Sequence, residues 1–299
     1  MRSYLFVPGD QERKLAKAAT SGADCLLIDL EDSVATSRKS AARAITSAYI
    51  RERRKDGRAA LQKIAVRING LSTGLADDDL AEIIASRPDA VLLPKTEGRR
   101  DVEHLSAMLT LHEANAGLAE GSTGIHALIT ETARGVLEAV RFAAGTPRLL
   151  SLAWGGEDLA ADLGAISNRI AKGAYGDVFR LARSLTLLAA TEARVDALDA
   201  VFTDYSDMHG LERECQAAVR DGFSGKMAIH PAQVAVINRA FTPSIEQVSA
   251  ARRIIACFEE AGADAGVVSL DGVMLDRPHL KQAERILARY DFAKEHSTR

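Results

Sequence analysis

The chain has 299 residues, 47% of them hydrophobic, and its formal net charge of −3 gives no reason to expect nucleic acid or an anionic membrane surface as a partner. Its three cysteines are scattered and form no CxxC pair, which argues against a disulfide framework and a zinc ribbon. No apolar run approaches the ~20 residues that span a bilayer, and Pro8 interrupts the first apolar stretch too early for a secretory signal. We therefore expect a cytoplasmic protein.

Short apolar or β-branched runs recur along the chain and predict eight strands. In chain order they are Tyr4–Val7, Cys25–Leu30, Ile64–Ile68, Ala90–Leu93, Ile125–Thr130, Leu149–Trp154, Ala197–Thr203 and Lys226–Ile229. The helical patterns between them are Gln11–Thr20, Arg38–Arg54, Asp78–Ser86, Arg100–Ala116, Arg134–Ala143, an extended region around Ala160–Thr191, and Met208–Asp221. Eight alternating units predict a closed (β/α)₈ TIM barrel, with a doubly wound open sheet as the alternative.

The pattern changes after the eighth strand. Ile245–Glu260 and Pro278–Ala293 have the features of helices, and Gly262–Asp276 is predicted to be an irregular connection. We therefore predict a TIM-barrel catalytic domain over residues 1–240 and a C-terminal helical extension over residues 241–299.

Polar residues directly follow the predicted strands, where a barrel of this kind assembles its active site. Carboxylates follow strands two, five, six and seven, and cations follow strands three and four. Several carboxylates facing one cavity would repel one another unless a cation lay among them. Oxygen ligands without clustered His or Cys favour Mg²⁺ or Mn²⁺ over Zn²⁺.

Glu131 and Asp158 are the predicted metal ligands because they end adjacent strands. The alternative for Asp158, and for Asp10, is that the carboxylate caps the helix that follows. Arg67 offers a bidentate donor suited to a substrate carboxylate or an enolate oxygen. A structural ion pair of Arg67 with Glu31 or Asp32 is the alternative, and the two roles are compatible. For His230, lining a ligand site and being a satisfied core histidine remain equally open.

The sequence resembles the HpcH/HpaI aldolase/citrate lyase superfamily, specifically its citrate lyase β-like (CitE-like) branch, which includes malyl-CoA and citramalyl-CoA lyases. The matching segments span nearly the whole chain in the family's order: residues 5–9 (LFVPG), 29–34 (DLEDSV), 66–70 (VRING), 93–95 (LPK), 131–135 (ETARG), 154–159 (WGGEDL), 225–231 (GKMAIHP) and 271–276 (DGVMLD).

This resemblance implies that Glu131 and Asp158 bind Mg²⁺, and that Arg67 contacts a 2-oxo acid and the developing enolate. It also implies that Glu31 and Asp32 support these residues. Asp276, on the C-terminal extension, would serve as the acid/base of a neighbouring subunit, whose site the extension would cover. The assembly in this family is commonly a homotrimer or a multiple of it. Further predicted substrate contacts are Pro94, Lys95, Gly156, Glu157 and His230.

The implied function is a Claisen-type reaction on a 3-hydroxy acyl-CoA thioester, with coenzyme A as part of the substrate and acetyl-CoA and a 2-oxo acid as the small molecules released. Two alternatives stay open. One is a CoA-independent pyruvate aldolase, and the other is a citrate lyase β-subunit that acts on an acyl-carrier protein. The retained C-terminal extension favours an independent CoA enzyme.

Overall fold

A computed structural model describes residues 1–55, 62–142, 145–170, 173–262 and 264–297 of the chain. Eight parallel strands close into a barrel, in which each strand pairs with the next and the first pairs with the last. They are β1 (Ser3–Pro8), β2 (Cys25–Asp29), β3 (Lys63–Arg67), β4 (Ala90–Leu93), β5 (Gly124–Leu128), β6 (Leu149–Ala153), β7 (Asp196–Asp199) and β8 (Gly225–Ala228). The predicted TIM barrel is confirmed, and the open sheet is excluded.

Helices follow the strands around the barrel. They are α1 (Glu12–Ala18), α2 (Lys39–Lys55), α3 (Ala76–Ile83), α4 (Arg99–Asn115), α5 (Ala133–Ala139), α6 (Gly156–Leu163), α7 (Asp177–Ala193), α8 (Met208–Asp221) and α9 (Pro231–Phe241). The extended helical region predicted after β6 separates into α6 and α7. Helix α9 was not predicted, although Pro231 is a favoured first helical residue. The predicted end of the α5 helix, Ala143, lies outside the described residues.

The barrel interior is a packed hydrophobic cluster to which all eight strands contribute. Its members are Tyr4, Cys25, Leu27, Ala65, Ala90, Leu92, Leu128, Ala153, Leu198 and Met227. The three cysteines are free thiols, as the sequence indicated. Because the interior is filled, space for a ligand lies at the mouth of the barrel.

Residues Met1–Asn238 and Arg239–Arg299 form two compact units. The second unit contains α10 (Ile245–Ala261), an antiparallel hairpin of β9 (Val267–Leu270) and β10 (Val273–Asp276), and α11 (Arg277–Ser297). Its core is built by Phe258, Val268 and Leu275. None of the described helices is long and apolar enough to cross a membrane.

The prediction of an irregular connection over Gly262–Asp276 is wrong, because β9 and β10 pair there. Their two-residue turn is Asp271-Gly272, with φ values of +53° and +78°. These left-handed conformations are typical of Asp-Gly hairpin turns. The Asp-Gly turn signal is present in the sequence. The two strands that flank it have only four residues each, which is too short for an alternating pattern to predict them.

Candidate active site

A cavity of about 480 Å³ opens at the carboxyl-terminal ends of the barrel strands. Part of its wall is apolar, with contributions from Leu5, Phe6 and Met227. The predicted site residues that line it are Arg67, Glu131, Gly156, Glu157, Asp158 and His230. Glu31, Asp32, Pro94 and Lys95 do not line it, although Glu31 and Lys95 contact residues that do. Asp276 belongs to the second unit.

Arg67 is held at the cavity by two carboxylates of the β2 end. Its Nε and Nη2 both donate to Asp29 at 2.7 Å, and its Nη1 lies 2.9 Å from Glu31 Oε2. Burial pushes the pKa of Asp29 upward, but the hydrogen bonds and charge of Arg67 outweigh it and hold that pKa below its ordinary value. The ion-pair alternative for Arg67 therefore holds for Glu31 and fails for Asp32. Because Arg67 also lines the cavity, a substrate role remains compatible with this pairing.

Asp29 was not predicted to be a site residue, although it is the last residue of β2. The signal that identifies it is the barrel register, which places Asp29 beside Arg67 on paired strands. Only the closed sheet supplies that register. Asp29 fixes the orientation of the Arg67 guanidinium. Without such a partner the flexible Arg67 side chain could not keep one orientation.

Lys95 links the two predicted metal ligands. Its backbone N–H donates to Glu131 Oε2 at 2.6 Å, and its ammonium lies 3.3 Å from Asp158 Oδ1. The same ammonium bonds to Glu31 and, at 3.1 Å, to Asp32. Lys95 has a φ of +49°, a left-handed conformation that is uncommon for a non-glycine residue and clusters at functional sites. In the structure Lys95 orders the carboxylates, and its predicted contact with substrate stays a prediction.

Glu131 and Asp158 interact electrostatically across the cavity mouth. Glu131 is buried, and this burial, together with the nearby charge of Asp158, raises its pKa from 4.5 to about 8. The hydrogen bond from Lys95 and the charge of Arg67 oppose the increase but do not cancel it. Near neutral pH the metal-free site therefore favours the protonated form of Glu131.

The donor set fits a hard divalent cation. Within the described ranges, no three His, Cys, Asp or Glu side chains form a metal-binding group. Mg²⁺ does not need one, because one or two carboxylates commonly hold it while water and substrate oxygens complete its octahedron. A cation held by Glu131 and Asp158 would also offset the burial and the charge of Asp158, which together raise the pKa of Glu131.

The turn between β6 and α6 brings Asp158 to the cavity and leaves no room for side chains. A Cβ on Gly155 would lie 2.7 Å from Glu131 Cγ, and one on Gly156 would lie 3.3 Å from Trp154 Cζ3. Gly155 is the N-cap of α6, and Asp158 lies in the first helical turn, so the capping alternative for Asp158 is wrong. Close contact of this turn with Glu131 fixes the spacing of the two carboxylates.

Asp10 and Glu157 each interact with a polar side chain of a nearby segment. Asp10 pairs with Arg38 at 3.5 Å, while the N-cap of α1 is Gln11, so Asp10 does not cap that helix. Glu157 accepts a hydrogen bond from Asn168 Nδ2 at 2.7 Å. This bond ties the metal-ligand turn to the loop between α6 and α7.

His230 and Asp276 occupy different surroundings. His230 is exposed at the cavity rim and stacks on Tyr205 at a centroid distance of 5.1 Å, so it is not a core histidine. Asp276 ends β10 directly before α11, and its Oδ1 lies 2.6 Å from His279 Nδ1. Its side chain is 44% exposed. Asp276 is therefore accessible for proton transfer, and its predicted action on a neighbouring subunit stays a prediction.

Comparison with known proteins gives consistent matches. The model of the HpcH/HpaI aldolase/citrate lyase family matches residues 2–231. The chain is 37% identical over 286 residues to the citrate lyase subunit beta-like protein of Mycobacterium tuberculosis, covering 96% of this chain and 94% of that protein. It is 33% identical over 305 residues to the mitochondrial citramalyl-CoA lyase of Rattus norvegicus, covering 98% and 87%.

The chain belongs to the HpcH/HpaI aldolase/citrate lyase family. The crystal structure of M. tuberculosis CitE in complex with magnesium, acetoacetate and coenzyme A superposes with a TM-score of 0.76 at 36% identity, covering 97% of this chain and 98% of that one. The predicted family, its barrel fold and the lyase class of enzyme are thereby confirmed.

Besides Asp29, two more cavity residues of this HpcH/HpaI family member were not predicted from the sequence. Lys14 and Lys17, on α1, line the cavity and are exposed. Their three-residue spacing places both on one face of the helix, and that helix follows the β1 end at Pro8. No motif marked these lysines, but their position after the first strand was a usable signal.

Proposed function

We propose that this chain is an Mg²⁺-dependent carbon–carbon lyase or synthase that acts on a citramalyl-CoA or malyl-CoA type thioester. The observation that carries the proposal is that Glu131, Asp158 and Arg67 line one cavity. Two carboxylates for a hard cation and one oriented guanidinium are the groups that such a reaction requires. The magnesium and coenzyme A bound by the M. tuberculosis structure support the same ligands here.

Glu131 and Asp158 would hold the metal, with Mn²⁺ as an alternative to Mg²⁺. When bound, the ion supplies Lewis acidity to the carboxylate and the 2-oxo or 2-hydroxy oxygen of the acid moiety. Lys95 orders both ligands through its backbone N–H and its ammonium. Glu31 and Asp32 anchor that ammonium, which accounts for their expected supporting role.

Arg67 stabilises the negative charge that develops on the thioester oxygen. Asp29 accepts hydrogen bonds from Nε and Nη2 of Arg67, so the guanidinium plane is fixed before substrate binds. A preorganised donor of this kind loses no free energy to reorientation when the enolate forms. Its position on the cavity wall supports contact with the reacting group.

The cleavage direction requires a base and then an acid. A carboxylate, for which we propose Asp276 of a neighbouring subunit, removes the proton of the 3-hydroxyl group. The C2–C3 bond then breaks, C3 becomes the carbonyl carbon of the 2-oxo acid, and the electron pair forms the thioester enolate. Protonation of the enolate carbon by the same group gives acetyl-CoA.

The cavity also offers contacts for coenzyme A. Lys14 and Lys17 provide positive charge at its edge, which suits the phosphates of the nucleotide end. Pro94 is buried, and the Lys95 ammonium is paired with Asp158. Both residues remain proposed substrate contacts. His230 and Glu157 lie at positions suited to the pantetheine arm or the acid moiety.

We further propose assembly as a homotrimer or a multiple of it. Large apolar side chains are exposed on or next to α5 and on α7: Leu137, Val140, Val178, Leu181 and Leu188. Exposed apolar clusters mark association surfaces when they are contiguous. Subunit association would also provide the neighbour on which Asp276 acts.

The decisive experiment is to incubate the purified chain and Mg²⁺ with malyl-CoA, citramalyl-CoA and citryl-CoA, and to identify the 2-oxo acid released. Lys14→Ala/Lys17→Ala should raise KM for the thioester, and Lys63→Ala, at the opposite end of the barrel, is the matched control. Cleavage of free hydroxy-oxo acids alone would instead establish a CoA-independent pyruvate aldolase. Activity only with acyl-carrier thioesters would establish the citrate lyase β-subunit.

A further inference from the structure

A buried lysine behind the cavity wall has no part in the proposed reaction. Lys226, on β8, has a side-chain exposure of 0%. Its ammonium donates to Asp199 Oδ2 at 2.9 Å, to the Ala200 carbonyl at 2.6 Å and to Glu214 Oε1 at 2.8 Å. All three of its protons are therefore used, and the geometry of this charge is fully specified.

Lys226 belongs to a closed ring of contacts that includes Trp154. Asp199 Oδ1 accepts a hydrogen bond from Trp154 Nε1 at 2.8 Å. The Tyr175 hydroxyl donates to Glu214 Oε1 at 3.3 Å, and the Tyr175 ring packs edge-on against Trp154 at a centroid distance of 4.9 Å. We call these five residues (Trp154, Asp199, Lys226, Glu214 and Tyr175) the Lys226 network.

The network orients the Trp154 indole from two sides. Nε1 is the only polar atom of the ring, so its bond to Asp199 fixes the ring's rotation. Tyr175 limits the remaining movement by contact with the ring itself. Lys226 contributes to both restraints, one through Asp199 and the other through Glu214. It shares these carboxylates with Arg183, which lies 3.1 Å from Asp199 Oδ1, and with Arg169, which lies 2.9 Å from Glu214 Oε2.

Trp154 in turn supports the turn that carries Asp158. A Cβ on Gly156 would meet the Trp154 ring at 3.3 Å, and one on Gly155 would meet Glu131 at 2.7 Å. The turn is thus in close contact with the indole at Gly156 and with the first predicted metal ligand at Gly155. Any tilt of the indole changes the spacing of Glu131 and Asp158.

Stability alone does not account for this arrangement. A buried ion pair must offset the desolvation of both charges, and replacing one by apolar residues of similar volume is often neutral or stabilising. An apolar network at this position would fill the same space but would leave Trp154 Nε1 without its acceptor. The ionic arrangement supplies what packing cannot, a fixed ring orientation.

We infer that Lys226 is a positioning residue, which acts through Asp199 and through Glu214 and Tyr175 to hold Trp154, and thereby the Gly155–Asp158 turn, at the spacing that metal binding needs. The functional part of this inference rests on the proposed roles of Glu131 and Asp158. Its structural part, the orientation of Trp154, does not.

The test uses the fact that Trp154 is the single tryptophan of the chain, so intrinsic fluorescence and the near-UV tryptophan bands report on it alone. Lys226→Met, in the full-length protein, should shift the emission to longer wavelength and increase quenching by acrylamide. Mg²⁺ binding measured by calorimetry should weaken by roughly 10–100-fold, the scale for losing a residue that orients a metal ligand. Tyr175→Phe keeps the ring that packs against Trp154 but removes the hydroxyl that ties this ring to Glu214, and it should give a smaller change in the same direction.

Arg148→Met is the matched control, because it breaks another buried ion pair, with Glu113 at 2.7 Å, that does not involve Trp154. It should lower stability without altering the tryptophan signals. Wild-type tryptophan signals in folded Lys226→Met, or equal changes in Arg148→Met, would overturn the inference. If Lys226→Met does not fold, the Tyr175→Phe signals decide in the same way. If Lys226→Met alters the tryptophan signals but the wild-type protein binds no Mg²⁺, the positioning of Trp154 is supported and the proposed function is refuted.

Discussion

Replacing Glu131 by glutamine should stabilise the metal-free protein while it abolishes turnover. The substitution mimics the protonated carboxyl, which burial and Asp158 favour in the folded state. The introduced amide would still have an oxygen that can accept the hydrogen bond from the Lys95 backbone N–H, so the local geometry is retained. In the wild-type protein, by contrast, the free energy of unfolding decreases as the pH rises, because the buried Glu131 carboxyl ionises less readily in the folded state than in the unfolded chain.

The size of this effect follows from the two pKa values. In the unfolded chain Glu131 ionises near 4.5, whereas in the folded, metal-free protein it ionises near 8. The raised folded-state value means that stability is greatest below pH 4.5 and is lost as the pH rises toward 8. At pH 7 this loss is about 3 kcal/mol, and its limit above pH 8 is about 5 kcal/mol, at about 1.36 kcal/mol for each pH unit between the two values. Glu131→Gln does not undergo this loss of stability, because the glutamine side chain does not ionise.

Thermal unfolding in a chelator between pH 4.5 and pH 9 measures the difference. The Tm of Glu131→Gln should equal that of wild type near pH 4.5 and exceed it by roughly 6–12 °C at pH 7, at about 2–4 °C per kcal/mol. Saturating Mg²⁺ should raise the Tm of wild type alone, because a ligand stabilises only the form that binds it. Glu138→Gln, at an exposed position of α5, is the matched control. A Glu131→Gln protein that is less stable than wild type at pH 7, or a Tm difference independent of pH, would refute the reasoning.

Three further outcomes are expected. Asp158→Asn should weaken Mg²⁺ binding in calorimetry and abolish turnover with an unchanged circular dichroism spectrum, and full activity in a chelator would contradict this. Arg67→Lys should lower kcat by roughly 10²–10³-fold, the scale for one preorganised donor, since an ammonium cannot match the fork held by Asp29; wild-type kinetics would leave Arg67 a purely structural role. Asp276→Asn should lose turnover but keep Mg²⁺ and CoA binding, and mixing it with Glu131→Gln subunits should restore partial activity if Asp276 acts on a neighbour. No recovery after confirmed subunit exchange would argue for a self-contained site.

Several features of this protein were determined by its sequence alone. The alternation of eight apolar runs with helical patterns predicted the barrel because each unit must bury a strand between its neighbours and a helix. Glu131 and Asp158 could be paired in advance because they end adjacent strands, and all such ends meet at one mouth. The GKMAIHP and WGGEDL segments supported the family because their order along the chain is specific.

Other features depended on contacts between distant segments. Asp29 became the partner of Arg67 only when the barrel register placed the two side by side, 38 residues apart in the chain. Lys95 proved to order the carboxylates because its backbone turns into the left-handed region, a conformation that no propensity predicts for lysine. The Asp271-Gly272 hairpin was missed because each strand has only four residues, too few to define a period.

The buried network around Lys226 shows why the sequence could not supply the rest. In the sequence Lys226 is one polar residue in an apolar strand, where a lysine is usually exposed. Its partners Asp199 and Glu214 come from β7 and α8, and the indole that they orient follows β6. A buried charge is tolerated only where several segments converge to satisfy it. Periodicity specifies which face of one segment is buried, whereas the pairing of charges within the interior is decided only when all these segments have packed together.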